Sequence, residues 1–315
     1  MKAVRIYAYG GPEVLVLEDA PKPEPGPGEV LIRVKNVGIN PIDYRTRSGA
    51  GVARYWKDKP FPFILGWDVS GTVEACAPDV TAFMPGNEVF GLIRFSQPGS
   101  CYAEYVTAPA SQLALKPPSI DHTHAAAVPL AALTAWQMMF DTAKLEAGQK
   151  LLVHAASGGV GHFAVQFGKW RGAEVTGTAS GKNEAFVRDL GVDHFVDYTK
   201  SAFDQVVTGV DVQLDTVGLE VQERCWGVMK KGGIVVSVVP DRGPLSQEAA
   251  ATHGVRAANV FVRPDGDALA KIAGLLDTGA VRVMVEKVFA LADVAKAHEH
   301  IAGGRTRGKI VLAVE

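Results

Sequence analysis

The sequence predicts an α/β protein in which a doubly wound parallel sheet accompanies a β-rich part. Three observations carry this expectation. Strand-like and helix-like segments alternate from residue 150 onward. The glycine-rich turn Ser157-Gly158-Gly159-Val160-Gly161 joins an apolar run, Leu151-Leu152-Val153, to apolar residues at helical spacing, Val160, Phe163, Ala164 and Phe167. The first 120 residues and the tail from 264 read as short strands set between proline and glycine turns. Alternating strands and helices build a parallel sheet, whereas short strands with turn residues between them build antiparallel ones.

Taken in order, Val30–Val34 is a strand after a Pro/Gly-rich approach, and Val69–Glu74 and Asn87–Ile93 are further strands. Asp121 can cap a helix, and a second helical stretch covers Ala131–Lys144. Strands are expected at Leu151–Ala155, Glu174–Ala179, His194–Asp197, Val210–Asp215, Ile234–Val239 and Ala258–Val262, with helices at 160–171, 183–190 and 220–230. Strands at Val281–Val285 and Lys309–Val314 flank a helix at 291–302 and return the chain to the N-terminal part. The expected division is 1–120 with 264–315, and 121–263.

Composition narrows the function classes. The 315 residues suffice for two ordinary domains, and a formal net charge of −2 offers no bulk attraction to nucleic acid or an anionic membrane. No run approaches the ~20 apolar residues of a membrane helix. The N-terminus, Met1 to Tyr7, lacks a signal-peptide core and reads as a strand. Three scattered cysteines, Cys76, Cys101 and Cys225, fit free thiols in a reducing, cytoplasmic setting.

The turn at 157–161 is a phosphate cradle. Unpaired N–H groups and the positive end of a helix dipole face an anion there, and glycine admits close backbone approach. In the dinucleotide fingerprint G-x-G-x-x-G the first glycine is replaced by Ala156. An NAD site places an acid at the end of the second strand; here Ser180, 19 positions after Gly161, stands in that place. Ser180 offers a hydroxyl and Lys182 a positive charge to a 2′-phosphate, so the pattern reads as NADP(H). Tyr198 is a further phenol donor, or a half-buried aromatic. The other reading of Lys182 is a solvated surface lysine.

Oxidising an unactivated alcohol calls for a Lewis acid, and zinc sites use Cys and His. Gly38–Asp43 contains no Cys, Gly66-Trp67-Asp68 contains no His, and the pairs His122/His124 and His298/His300 read as surface or capping histidines. No metal is expected. Asn40 either serves the site or satisfies backbone groups before Pro41; Asp43 and Arg47 are spaced for an i, i+4 ion pair, the reading preferred over a catalytic role. The aromatic stretch Tyr55-Trp56 to Phe61-Pro62-Phe63 either covers a pocket or packs a core.

Together these stretches resemble the medium-chain dehydrogenase/reductase family, in its zinc-independent quinone oxidoreductase (zeta-crystallin-like) group. The resemblance rests on Gly10-Gly11-Pro12-Glu13, Asn40-Pro41-Ile42-Asp43-Tyr44, Gly66–Gly71, Pro85–Val89, Leu133–Trp136, Ala155–Gly161, Leu214–Gly218 and Gly308–Leu312, in order. It implies a GroES-like catalytic domain made from both chain ends around a Rossmann NADP-binding domain. It implies that Asn40 and Thr134 approach the nicotinamide, that Ser157, Gly158, Gly159, Val160 and Gly161 hold the pyrophosphate, and that Ser180, Lys182 and Tyr198 meet the 2′-phosphate. Val217, Val238, Phe261 and Val262 then line the cofactor from strand ends. Some relatives carry a tyrosine two places after the motif's Asp; here Arg45 stands there and Tyr44 one place earlier.

The resulting expectation is an NADPH-dependent reductase of quinones or α,β-unsaturated carbonyls, working on a small molecule by hydride transfer without zinc. Tyr44 is the candidate proton donor, beside water or a cofactor ribose hydroxyl. The alternative is a non-catalytic NADPH-binding sensor or structural protein. Edge pairing of the Ala258–Val262 strand suggests a homodimer.

Overall fold

The computed structural model of the protein describes residues 1–239 and 245–314. These divide into two units, Met1–Leu133 with Arg263–Glu315, and Thr134–Val262.

The chain opens with β1 (Lys2–Ile6), β2 (Val16–Asp19) and β3 (Glu29–Ile39). Helix α1 (Pro41–Arg47) follows, with Pro41 in its first turn, where a missing N–H costs nothing. Then come β4 (Phe63–Ile64), β5 (Asp68–Cys76), β6 (Glu88–Leu92), β7 (Tyr105–Pro109) and β8 (Leu113–Leu115). Helix α2 (His122–Ala126) is capped by Asp121, whose carboxylate accepts the His124 N–H at 2.8 Å. Residues 121–133 thus belong with the first unit, beyond the expected division at 120.

Helix α3 (Pro129–Trp136) widens into a π turn over Gln137–Thr142. The sequence read these two pieces as one helix from 131 to 144. After them run β9 (Lys150–Val153), α4 (Gly161–Arg171), β10 (Glu174–Ala179), α5 (Glu184–Asp189), β11 (His194–Asp197), α6 (Phe203–Val206) and β12 (Val210–Asp215). The unit continues with α7 (Leu219–Cys225), β13 (Met229–Ser237), α8 (Gln247–Thr252) and β14 (Arg256–Asn259). Its six strands are ordered β11-β10-β9-β12-β13-β14, and each pair is parallel. The order reverses between β9 and β12, so the glycine turn after β9 stands at the topological switch point, where open α/β sheets bind ligands. Phe163, Ala164 and Phe167 of α4 are fully buried, as their spacing requires.

The chain then returns to the first unit through α9 (Gly266–Asp277), β15 (Val285–Ala290), α10 (Val294–Ala302) and β16 (Lys309–Ala313). The main sheet there runs β15-β16-β3-β5-β6-β8, with β7 also on β3. β3 is its spine: eleven residues, eight of them buried, paired antiparallel with β5, β7 and β16.

Some expected bounds shift. The strand read at Val281–Val285 lies at Val285–Ala290; Val281 and Val283 are buried (1% and 8% exposed) in irregular chain after α9, where Val281 donates to the Leu275 carbonyl at 3.2 Å, and their alternation imitates a strand. The strand read at Ala258–Val262 lies at Arg256–Asn259. The helix read at 220–230 stops at Cys225, because Met229 already belongs to β13.

Candidate functional site

In the second unit the strand ends gather the residues singled out by sequence. β9 stops at Val153, and Ala155 takes a left-handed φ of +49°, a strained conformation for a side chain with a Cβ. Its carbonyl turns inward and accepts the Gly158 N–H at 2.8 Å. Gly161 then starts α4 so close to the preceding chain that a Cβ would meet the Ala155 carbonyl and lie 2.8 Å from Ala156 Cα. Gly158 is different: a Cβ there would stand 3.2 Å from the Ala155 carbonyl and otherwise be free. No side chain caps the N-terminus of α4. Ser157, Gly159 and Val160 are half-buried around it. An uncapped helix start with glycine beneath it fits a phosphate group.

The end of β10 closes on the same turn. Asn183, which the sequence reading passed over, donates from Nδ2 to Ser157 Oγ at 3.1 Å and to Ser180 Oγ at 3.5 Å. Lys182, between them, is exposed. Tyr198 donates its N–H to Ala179 at 3.2 Å, so it stands beside Ser180. Its ring is 62% exposed, which removes the half-buried alternative.

A carboxylate does lie near, from the adjacent strand. Asp197 pairs in register with Ala179, and its Oδ1 accepts the Thr199 hydroxyl at 2.7 Å and the Thr199 N–H at 3.0 Å. A Cβ on Gly181 would strike its Oδ2. The Thr199 hydroxyl, with the N–H groups of Thr199 and Gly181, holds this carboxyl below the usual range. Asp197 is therefore occupied in shaping the loop that carries Ser180.

Val217 and Val238 meet through Asp215. Its Oδ1 accepts the N–H groups of Val217 and Gly218, both at 2.8 Å, and its Oδ2 accepts from Gln222 and Ser237, both at 2.8 Å. Gly218 needs its glycine, with φ +109°. Val238 donates to the Asp215 carbonyl at 3.2 Å. Phe261 (54% exposed) and Val262 (8%) follow β14 at the same strand-end edge, and Thr134 is buried on α3. The signal for Asp215 was present in Leu214–Gly218, but a buried acid in a strand reads as packing until its four donors are seen.

In the first unit, Asn40 ends β3 and Tyr44 lies half-buried on α1. Asn40 is 2% exposed, and its Nδ2 donates to Asp68 Oδ2 at 2.9 Å. Lys309 of β16 contacts Asn40 Oδ1, donates to the Ile39 carbonyl at 2.7 Å and stands 3.7 Å from Asp68 Oδ2. Asp68 Oδ1 accepts the Leu130 N–H at 2.8 Å. Asp43 Oδ2 accepts the Asn40 N–H at 2.5 Å, and Asp43 Oδ1 has no partner. The expected Asp43–Arg47 pair is absent. Arg47 instead reaches the Gly10 carbonyl at 3.2 Å and His298 Nδ1 at 3.5 Å, while the Asp43 carboxylate turns back to the Asn40 N–H at the helix start, both residues being buried. His298 is not a surface histidine: it is fully buried, and its Nε2 lies 2.9 Å from Tyr102 Oη.

Burial sets the charges of this cluster. Desolvation pushes Asp43 up to about 8, against the Asn40 N–H and with the Asp68 charge. It pushes Asp68 up to about 6, with Lys309 opposing, and pulls Lys309 down. Asp68, with the cation beside it, is the easier carboxyl to ionise. Burial drives His298 down to about 3, so it is neutral at physiological pH.

The aromatic stretch divides. Trp56 and Phe63 are buried and pack edge to face at 5.2 Å, whereas Tyr55 is 65% exposed. Among the described residues no group of three or more His, Cys, Asp or Glu is placed to hold a metal, and no helix is long and apolar enough to cross a membrane.

Comparison with known proteins places this arrangement. Residues 26–118 match the family described as alcohol dehydrogenase GroES-like domain, and residues 190–312 the one described as zinc-binding dehydrogenase. A mitochondrial NAD(P)H oxidoreductase, RTN4IP1 of Danio rerio, is 35% identical, over 91% of this chain and 84% of its own. The quinone oxidoreductase structure from Coxiella burnetii superposes with a TM-score of 0.94 at 35% identity, over 100% of this chain and 99% of that one. A mycobacterial protein, Rv1454c, solved with NADPH, gives 0.88 at 30% identity over 100% of both chains. The chain belongs to the medium-chain dehydrogenase/reductase family, in its quinone oxidoreductase group.

Proposed function

We propose that this protein is an NADPH-dependent reductase of quinones or α,β-unsaturated carbonyls. The observation that carries the cofactor half is the strand-end cluster. An uncapped helix start over Gly158 would take the pyrophosphate, with Ser157 and Val160 beside it. Ser180, which Asn183 holds, with Lys182 in the same loop and Tyr198 on the Ala179 carbonyl, would take the 2′-phosphate. Asp197, the carboxylate on the neighbouring strand, is engaged by Thr199, which supports the phosphate reading. Val217, Val238, Phe261 and Val262 would line the cofactor, and Thr134 and Asn40 would approach its nicotinamide. The relative named for NAD(P)H supports a nicotinamide cofactor, and the mycobacterial structure solved with NADPH accords with the phosphorylated form.

When bound, the nicotinamide supplies the hydride. The chain's own residues bind, orient and keep water away, and Asn40 and Tyr44 would meet the acceptor's oxygen as charge develops on it. A conjugated acceptor is already electron-poor, so this chemistry needs no zinc. Tyr44 is the proposed proton donor to that oxygen.

NADPH consumption, measured against a panel of quinones and enones with NADH in parallel, tests the reading. Turnover with NADPH preferred supports it. Tight NADPH binding with no turnover on any acceptor overturns it in favour of the sensor reading.

We also propose a cytoplasmic homodimer. β14 is the edge of its sheet, with Arg256 and Asn259 exposed, and a second copy pairing there would continue the sheet. Light scattering at micromolar concentration giving one chain mass would remove the dimer, and a tagged chain found in an organelle would remove the location.

A further inference from the structure

Asn40 is held by two opposite charges that come from distant parts of the chain. Its Nδ2 donates to Asp68 Oδ2 at 2.9 Å, and its Oδ1 receives the Lys309 ammonium. Lys309 is anchored in turn by the Ile39 carbonyl at 2.7 Å, and Asp68 by the Leu130 N–H at 2.8 Å. All three side chains are at most 3% exposed. Gly38 makes the arrangement possible. A Cβ there would meet the Ala126 carbonyl and come within 3.0 Å of Asp68 Oδ2.

A carboxamide can usually turn over, exchanging its oxygen and its nitrogen. Here the turned form sets N–H against an ammonium and C=O against a carboxylate. Both contacts are repulsive, and both are desolvated. The amide therefore has one orientation. Its oxygen is taken by a cation, and one of its two N–H bonds by an anion. The second N–H remains. Withdrawal of electron density toward Lys309 also makes that N–H a better donor.

We propose that Lys309 and Asp68 are positioning residues that fix the Asn40 carboxamide so that it meets a bound ligand through an N–H and never through its oxygen. Resting on the reductase reading, this assigns the Asn40 amide to a hydrogen-bond acceptor of the ligand, the carbonyl oxygen of the quinone or enone. It also makes the last strand a contributor to acceptor selectivity, although Lys309 touches no substrate.

Two measurements on the full-length protein test it. In 15N-labelled, deuterated protein, the Asn40 side-chain amide is identified by the loss of its signal pair in Asn40→Asp. The pair should be shielded from solvent exchange in the wild type, and in Lys309→Met it should move and exchange at least tenfold faster. An unmoved pair overturns the proposal whether or not the protein turns over. In kinetics, Lys309→Met and Asp68→Asn should lower kcat/KM for the acceptor tenfold or more while the NADPH dissociation constant changes less than twofold, and Lys309→Arg should restore part of the loss. Equal losses in NADPH binding and acceptor turnover would mean a general structural role and would also overturn it. Absence of turnover in the wild type would sink the reductase reading alone, and the amide signals would still decide the clamp.

Discussion

The side-chain amide of Asn183 donates to the hydroxyl of Ser157 at 3.1 Å, joining the loop after β10 to the glycine turn after β9. One side chain thus sets the distance between the proposed pyrophosphate and 2′-phosphate positions. Asn183→Ala should weaken NADPH binding roughly tenfold, as loss of about one positioned hydrogen bond, and change thermal stability little. Fluorescence titration with NADPH measures this. An unchanged dissociation constant would separate the two loops functionally.

Lys182 is the charge offered to the 2′-phosphate, and it is exposed. Lys182→Ala should lower the preference for NADPH over NADH roughly twofold to fivefold, the range of a solvated charge pair. The same preference in mutant and wild type would remove Lys182 from the site.

The two glycines of the turn should respond differently. A Cβ at Gly161 collides with backbone of the preceding residues, so Gly161→Ala should cost about 1–3 kcal/mol of stability by overpacking. A Cβ at Gly158 meets only the Ala155 carbonyl at 3.2 Å, so Gly158→Ala should fold, and Gly158→Val should lose cofactor affinity. Paired melting curves and titrations tell the two apart; a Gly158→Val protein with wild-type affinity would place the pyrophosphate elsewhere.

The second unit was the legible part. Its strands recur in the predicted order, and the central ones, β9 and β13, show the apolar runs Leu151–Val153 and Ile234–Val236 of parallel strands buried on both faces. The glycine turn announces itself because backbone that approaches an anion excludes side chains. The cluster around Asn40 was not legible. Asp43, Asp68, Tyr102, His298 and Lys309 come from five places in the chain, and no spacing along the sequence joins them until the fold buries them together. Asp43 and Arg47 carried the spacing of an ion pair, but helical spacing says which residues share a face, not whether that face looks inward.

Tyr102 and His298 define a stability test. Arg47 faces Nδ1, so the imidazole proton sits on Nε2 and is donated to Tyr102 Oη. Tyr102→Phe would leave that buried N–H unpaired, at a cost of about 1–3 kcal/mol. Urea unfolding should show the loss; a midpoint equal to wild type would mean the ring finds another acceptor.

The carboxyls make stability depend on pH. Asp43 titrates at about 8 when folded against 3.8 as its ordinary value, so between these limits the folded state holds the extra proton. Stability from this group falls as pH rises through that window. His298, driven down to about 3 from 6.5, acts in the opposite sense and loses stability as pH falls below 6.5. Between pH 6.5 and 8 the Asp43 effect stands without the histidine's. Asp43→Asn should therefore flatten the decline of Tm over that range. Lys309, which burial pulls down, acts in the opposite sense, so the difference is the test: a Tm profile over that range unchanged in Asp43→Asn would contradict the assignment.

β16 is placed between β15 and β3, and its Lys309 completes the surroundings of Asn40. Residues 309–313 are synthesised after the entire second unit, whereas β3 and Asn40 emerge long before it. On the ribosome, the parallel sheet can therefore close as a unit while Asp68 and Asp43 still lack their cation. Until translation reaches the final strand, the first unit carries an unfinished sheet edge along β3, and chains stalled before residue 309 should be recognised by chaperones and proteases through that edge.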